Sequence, residues 1–256
     1  TEGLAVEEDR VFVANGESGI FVFDSSDPSD LQILSHTEMA GYAWDVTIRG
    51  STLFTSNGAL GMAIYNLTSN DSLELISATN LPGDARKTEV EGTRGYVAGF
   101  DGGLILLNIT DLENPVQMDR YTISGEDFND VGLMDDYAIV TSNYEGRVHV
   151  IDASAPDELT LISTIETPGY SVALDIVGEL AFIADHHKGF RIYNLSNPAE
   201  PQLVTNYYTE KYALGIEVEN DYAHVIHTSG ARVFNVTNTS QPEPVGDYSE
   251  FGSATY

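Results

Sequence analysis

The sequence predicts an all-β protein, a six-bladed β-propeller with four antiparallel strands per blade. Three observations predict it. A short apolar run that opens on glycine and closes on Asp or Asn recurs six times, ending at Asp24, Asn66, Asn108, Asp152, Asn194 and Asn235. The intervals are 42, 42, 44, 42 and 41 residues, and the opening glycine travels with the run, at Gly19, Gly61, Gly103, Gly146, Gly189 and Gly230. Each unit holds four short runs rich in Val, Ile, Phe, Tyr and Thr, bounded by turn residues, and no stretch shows sustained helical periodicity. Four strands repeating at about 42 residues is the period of a propeller blade.

The second copy shows each element in order. "DVTIRG" (45–50) reads as the inner strand, "LFTSNG" (53–58) as the second, "MAIYNL" (62–67) as the third and "LELISA" (73–78) as the outer one. A blade buries both faces against its neighbours, which accounts for strands more apolar than strict alternation would give. Aligned on "WDVTIRGSTLF" (44–54), the chain begins within an inner strand, with Leu4 matching Val46 and Val6 matching Ile48. The other end, "EFGSATY" (250–256), aligns with "EMAGYAW" (38–44). The expectation is one domain over residues 1–256, its ring closed between the N- and C-terminal strands.

With 256 residues and 42% hydrophobic content, the chain can bury a sizeable core. No run approaches the roughly 18 apolar residues of a membrane span. The amino terminus, "TEGLAVEEDR", lacks the zones of a signal peptide, as in a mature chain whose leader has been removed. Cysteine is absent, which excludes disulfides, thiolate metal sites and cysteine nucleophiles. Forty acids against eleven bases give a net charge of −29, and Lys87, Lys188 and Lys211 are the only lysines. Such a surface repels nucleic acid and anionic lipid, so neither is an expected partner, nor is direct membrane insertion. Adaptation to molar salt and binding of multivalent cations both explain acidity. The acids are spread along the whole length, which favours salt adaptation.

The wording of the repeat resembles that of the LVIVD-repeat β-propellers, whose unit looks like Y-V-A-D-x-x-x-G-L-x-I-I-D-x-S-D-P-x-x-P. The matching stretches are "FVANGESGIFVFDSSDP" (12–28), "FIADHHKGFRIYNLSNPAEP" (182–201) and "LLNITDLENP" (106–115). The resemblance runs along essentially the entire chain and implies the propeller architecture together with an extracellular or cell-surface setting. Two departures stand out: Asn replaces the closing Asp in four copies, and the second copy lacks the proline. Asn makes the same side-chain-to-backbone turn, so the fold is not affected.

Alternating strand direction sorts candidate residues by side. The loops between strands 2 and 3 and the blade connections share one side, and the 3–4 loops lie on the other. Six N-x-S/T sequons, at Asn66, Asn70, Asn108, Asn194, Asn235 and Asn238, all fall on the 3–4 side. They read as glycosylation sites or, for those at the repeat's closing position, as plain turn chemistry. The opposite side gathers Tyr42, Trp44, Asp45, Arg86, Lys87, Phe128, Tyr170 and Tyr212, with Tyr207, Tyr208, Phe251 and Tyr256 nearby. Aromatics beside mixed charges suit a protein or glycan partner, although any one ring serves equally well as a wedge between blades.

No cofactor is required by any motif, but Ca²⁺ or another divalent cation has two candidate sites. His186 and His187 lie in the 2–3 loop of the fifth copy and His227 in that of the sixth, with Asp185 adjacent, a donor set suited to a transition metal. Glu89, Asp175 and Glu217 occupy equivalent inner-strand positions, where carboxylates suit Ca²⁺ or Mg²⁺. "DFNDVG" (127–132) fails as a calcium loop because Val131 takes the third ligand position. Serine-hydrolase and zincin motifs are missing. The reading is a secreted or surface-borne, rigid and non-catalytic binding or assembly module. The alternatives are a glycosidase or lyase that uses inner carboxylates, and an accessory subunit of a larger surface complex.

Overall fold

The computed structural model describes residues 2–249, and the carboxyl-terminal stretch aligned above, with Phe251 and Tyr256, lies outside the described residues. Six four-stranded antiparallel sheets follow one another, each made of four consecutive strands. This is the six-bladed propeller class the repeat predicts. The second blade has strands Asp45–Arg49, Thr52–Ser56, Met62–Leu67 and Leu73–Thr79, within two residues of the expected bounds. The chain divides into two compact units, Thr1–Phe128 with blades 1 to 3 and Asn129–Tyr256 with blades 4 to 6.

The repeated glycine has a steric cause. Gly61 has φ +80°, and a Cβ there would sit 2.3 Å from the carbonyl oxygen of Thr79 in the outer strand. Gly19, Gly103 and Gly189 repeat this approach at 2.2, 2.2 and 2.0 Å. No side chain fits, so the position stays glycine. The closing Asp or Asn is an Asx turn. Asp24, Asn108, Asp152, Asn194 and Asn235 each accept, through Oδ1, the backbone N–H of the hydroxyl residue two positions on, at 2.8 to 3.0 Å. The sequon wording of the repeat is therefore the wording of a turn.

Packing lies between adjacent blades. In the first unit, Phe12 and Val22 of blade 1 meet Val46, Ile48 and Leu53 of blade 2, and Phe54 and Ile64 of blade 2 meet Val97, Ile105 and Leu107 of blade 3. In the second unit, Ile139 and Val150 of blade 4 meet Leu174 and Ile183 of blade 5, and Phe182 and Phe190 of blade 5 meet Val225 and Phe234 of blade 6. The second strands of blades 2 to 5 are buried along nearly their whole lengths. The second strand of blade 6, Tyr222–His227, alternates instead, with His224 on its exposed side.

Side chains also tether blades 1, 2, 4 and 5 to the backbone of the blade that follows. Ser77 Oγ donates to the Leu112 carbonyl and Ser163 Oγ to the Pro198 carbonyl, both at 2.6 Å, and Ser35 Oγ bonds to the Asp71 carbonyl in the same way. On the inner strands, Thr47 Oγ1 donates to the Thr88 carbonyl at 2.6 Å. Asp130 Oδ2 accepts the Leu174 N–H at 2.9 Å, and Asp175 Oδ2 accepts the Val218 N–H at 2.7 Å.

Candidate functional site

Within every sheet, the 2–3 loop and the residues entering the inner strand lie at the same end. The backbone fixes their partnership: Gly16 pairs with Ala43, Gly58 with Ala85, Phe100 with Phe128 and His186 with Ala213. Tyr42, Asp84, Asp127 and Tyr212 therefore hold one equivalent position, and Gly16, Gly58, Phe100 and His186 another. The second position is left-handed in all four, with φ of 57°, 58°, 52° and 43°. Glycine takes this conformation freely, whereas a ring-bearing residue there costs about 1 kcal/mol or more of backbone strain. Blades 3 and 5 carry that strain, and in both an aromatic ring is set over the loop.

In the first unit the ring closes a cluster. The Arg86 guanidinium lies 3.8 Å from the centroid of Trp44 and 4.6 Å from that of Phe100, so the cation sits between two π faces. Arg86 Nη2 also meets Asp84 Oδ2 at 2.7 Å, while its buried Nε has no hydrogen-bond partner. Tyr42 packs on Trp44 at 4.5 Å and donates to Glu2 Oε1 at 2.6 Å. Beneath them Asp45 is buried, with Lys87 Nζ 3.4 Å from Oδ1 and Oδ2 unpartnered. Burial pushes the Asp45 carboxyl up to about 6, against the attraction of Lys87, which outweighs the repulsion of Glu89 but not the loss of solvation.

Several expected contact residues are thereby corrected. Phe128 is fully buried and packs the core, and Asp45 is only 5% exposed, so neither meets a partner. Lys87 bridges Asp45 and Glu89, and Glu89 is also 3.4 Å from Arg49, so both are engaged in the chain's own ion pairs. Trp44 and Arg86 remain partly exposed but are each other's ligand.

In the second unit the equivalent cluster is open. His186 stacks against Tyr212 at 4.5 Å and lies 5.5 Å from Tyr170, with His187 5.9 Å away. Tyr144 extends the array 6.2 Å beyond Tyr170. Tyr144, Tyr170 and Tyr212 are 60, 42 and 51% exposed. His186 Nδ1 is buried without a partner, and burial, reinforced by His187, holds its imidazole below the ordinary histidine value. His227 is not part of the array. It is buried, its Nδ1 is 3.3 Å from the Ser229 backbone N–H, and it lines a cavity of about 160 Å³ with Lys211, Ser229 and Arg232.

The metal expectations are corrected in the same way. No group of three His, Asp or Glu side chains is arranged to hold an ion among the described residues. Asp185, wholly buried, accepts the Gly169 N–H and pairs with Arg191 Nε at 2.7 Å, so it is not available beside His186 and His187. Asp175 gives one oxygen to the Ile176 N–H and the other to the Val218 N–H. Glu217 stands exposed at the equivalent place in the next blade. Asn66, Asn70, Asn108, Asn194, Asn235 and Asn238 all lie at or beyond the end of third strands, as expected. Phe100 was not legible as a site residue. The available signal was its alignment with Gly16 and Gly58, where a phenylalanine breaks the local rule.

Compared with known families, residues 1–36, 82–123 and 168–209 match the LVIVD repeat. The three matches fall on blades 1, 3 and 5. No curated protein matches the chain in sequence. Among solved structures, a protein from Lactobacillus plantarum is similar over 96% of this chain and 83% of its own, at 12% identity and a TM-score of 0.83. The periplasmic gluconolactonase PpgL of Pseudomonas aeruginosa is similar over 98% and 86%, at 16% identity and a TM-score of 0.80. The Cps50 (Swd1) β-propeller domain of Myceliophteria thermophila is similar over 98% and 87%, at 10% identity and a TM-score of 0.78. At these identities the likeness is one of fold, and that fold hosts a lactonase and a β-propeller domain alike.

Proposed function

We propose that this LVIVD-repeat propeller is a non-catalytic binding module, which takes a protein or glycan partner at the 2–3 loop side of blades 5 and 6. One observation carries the reading. Two exposed tyrosines, Tyr170 and Tyr212, flank a histidine held in a left-handed conformation that blades 1 and 2 reserve for glycine, and an exposed Tyr144 extends the array beyond Tyr170. Large amphipathic rings on a rigid sheet end give contact area at low entropic cost. Of the inner carboxylates named for a glycosidase or lyase, Asp175 bonds through both oxygens to backbone N–H groups and Glu89 is paired with Lys87 and Arg49, which weakens that reading.

The setting we propose is extracellular or at the cell surface, with the acidic exterior suited to high salt and glycans carried on the sequon side. That arrangement leaves the tyrosine-bearing side clear. A glycan array probed with wild type, Tyr170→Ala/Tyr212→Ala and Asn108→Gln/Asn238→Gln tests the assignment. Loss of signal in the tyrosine variant and retention in the asparagine variant is the expected result. The opposite pattern, in two variants that both melt like wild type, sinks it.

A further inference from the structure

The two clusters differ by a cation. Arg86 and Val172 hold equivalent places: each precedes its inner strand and donates its backbone N–H to the alanine that ends the second strand, Ala98 at 2.8 Å and Ala184 at 3.0 Å. In blade 3 the guanidinium from that place sits between Trp44 and Phe100 and pairs with Asp84, two residues earlier. In blade 5 the same place carries a buried valine and Tyr170 stands where the aspartate would be. The ring on the left-handed loop residue is kept, as His186. Tyr144 and His187 stand at 72° and 76° to Tyr170, so the array presents ring faces in more than one direction. Among the described residues, no Lys or Arg of the chain stands over Tyr170, His186 or Tyr212. Arg191 is held by Asp185, and Lys211 lines the separate His227 cavity beside Glu210 and Asp247. Lys188 lies two residues beyond His186, and Glu145 follows Tyr144 at the other end of the array.

We propose that the array binds a basic segment of a protein partner, an arginine guanidinium lying against Tyr170, His186 and Tyr212 as Arg86 lies against Trp44 and Phe100. This deepens the binding-module reading by choosing a protein over a glycan, and it rests on that reading. The net charge of −29 draws a basic segment towards the molecule and opposes an acidic one. A guanidinium is planar and weakly hydrated, so it stacks on rings where a compact, strongly hydrated ammonium does not. Burial, reinforced by His187, holds the His186 imidazole below the ordinary histidine value. The ring is therefore uncharged at neutral pH and adds a π face without repulsion. Tyr144, Tyr170 and Tyr212 are open to solvent, and a lone cation on open rings binds weakly. The guanidinium has to arrive on a chain that makes further contacts with the acidic surface, which is what a polypeptide with several arginines supplies.

Fluorescence anisotropy of labelled (Gly-Arg)4, (Gly-Lys)4 and (Gly-citrulline)4 peptides with the full chain tests this, in low salt and in about 1 M KCl, where separated charges are screened and ring contacts are not. The arginine peptide should bind about tenfold tighter than the citrulline peptide, and in the high salt it should also bind tighter than the lysine peptide. Tyr170→Ala/Tyr212→Ala leaves the net charge unchanged and should weaken the arginine peptide about tenfold, while Tyr170→Phe/Tyr212→Phe keeps the rings and restores binding. An alanine variant that binds the arginine peptide like wild type reduces the attraction to overall charge and overturns the proposal. Equal affinity for the arginine and lysine peptides in high salt does the same, as does no binding of the arginine peptide. A citrulline peptide that binds as tightly as the arginine peptide, and is lost in the alanine variant, overturns the cationic partner and leaves the binding face standing. So does a neutral glycan held through the same tyrosines when no peptide binds. Melting curves matching wild type show that each variant is folded.

Discussion

Two clusters at the same place in the repeat have opposite characters. In the first unit, Phe100 covers Arg86, Trp44 lies beneath it, and the cation between them is supplied by the chain itself. In the second unit, His186 occupies the position of Phe100, and the place of Arg86 is taken by the buried Val172. The rings of Tyr170 and Tyr212 consequently face solvent with no internal partner of that kind. The difference shows that an aromatic set on a strained loop can serve packing or recognition. What decides is whether a neighbouring strand entry fills the slot. The same left-handed cost stabilises the fold through contact in one case and exposes a surface in the other.

The sharpest way to break this comparison is through the closed cluster. Asp45 titrates at about 6 in the fold and near 3.9 in an unfolded chain. Between these values the folded state holds the extra proton, so stability falls as pH rises through 6, and the whole cost stands above it. Asp45→Asn carries no such cost. It should be more stable than wild type at pH 8 by up to about 3 kcal/mol, with the gap closing towards pH 4. Urea unfolding across that range measures it, and a gap that is constant with pH would show that Asp45 is not the titrating group.

Next in size are the two loop rings. Phe100→Gly relieves the left-handed strain but uncovers Arg86, and should destabilise by about 2 kcal/mol. His186→Gly relieves the same strain where little packing is lost, and should be neutral or stabilising by about 1 kcal/mol. Opposite signs for one substitution at one repeat position would be the clearest support for the contrast. Equal signs would dissolve it. The smallest stability effect belongs to Tyr170→Ala and Tyr212→Ala, each within about 0.5 kcal/mol by denaturation because the rings are largely exposed. A drop of several kcal/mol would make them wedges after all.

The blades were legible because their punctuation is dictated by sterics. Gly61 cannot be anything else with the Thr79 carbonyl where it is, and Asn108 must reach the Thr110 N–H to turn the chain. The same rules that made those residues readable made them uninformative about function. Strand alternation alone places Tyr42, Trp44, Arg86, Tyr170 and Tyr212 at the 2–3 loop end of the sheets. The sequence did not separate Phe128, fully buried, from Tyr212, half exposed, because both enter an inner strand beside an equivalent loop. Nor did it reveal that Asp175 is spoken for, since its partner is a backbone N–H 43 residues away. Contacts with a backbone leave no residue type to read.

Those backbone contacts have a consequence for how such a chain can change. Ser77, Ser163, Thr47, Asp130 and Asp175 all reach from an earlier blade to main-chain atoms of the following one. A tether of this kind demands a shape from its acceptor and no particular side chain. The receiving blade is free to alter its wording, as blades 3 and 5 have done at Phe100 and His186, without loosening its hold on the blade before it. A copied blade would arrive already compatible with its neighbour. Novelty at the loops and continuity at the seams are thus written in separate alphabets.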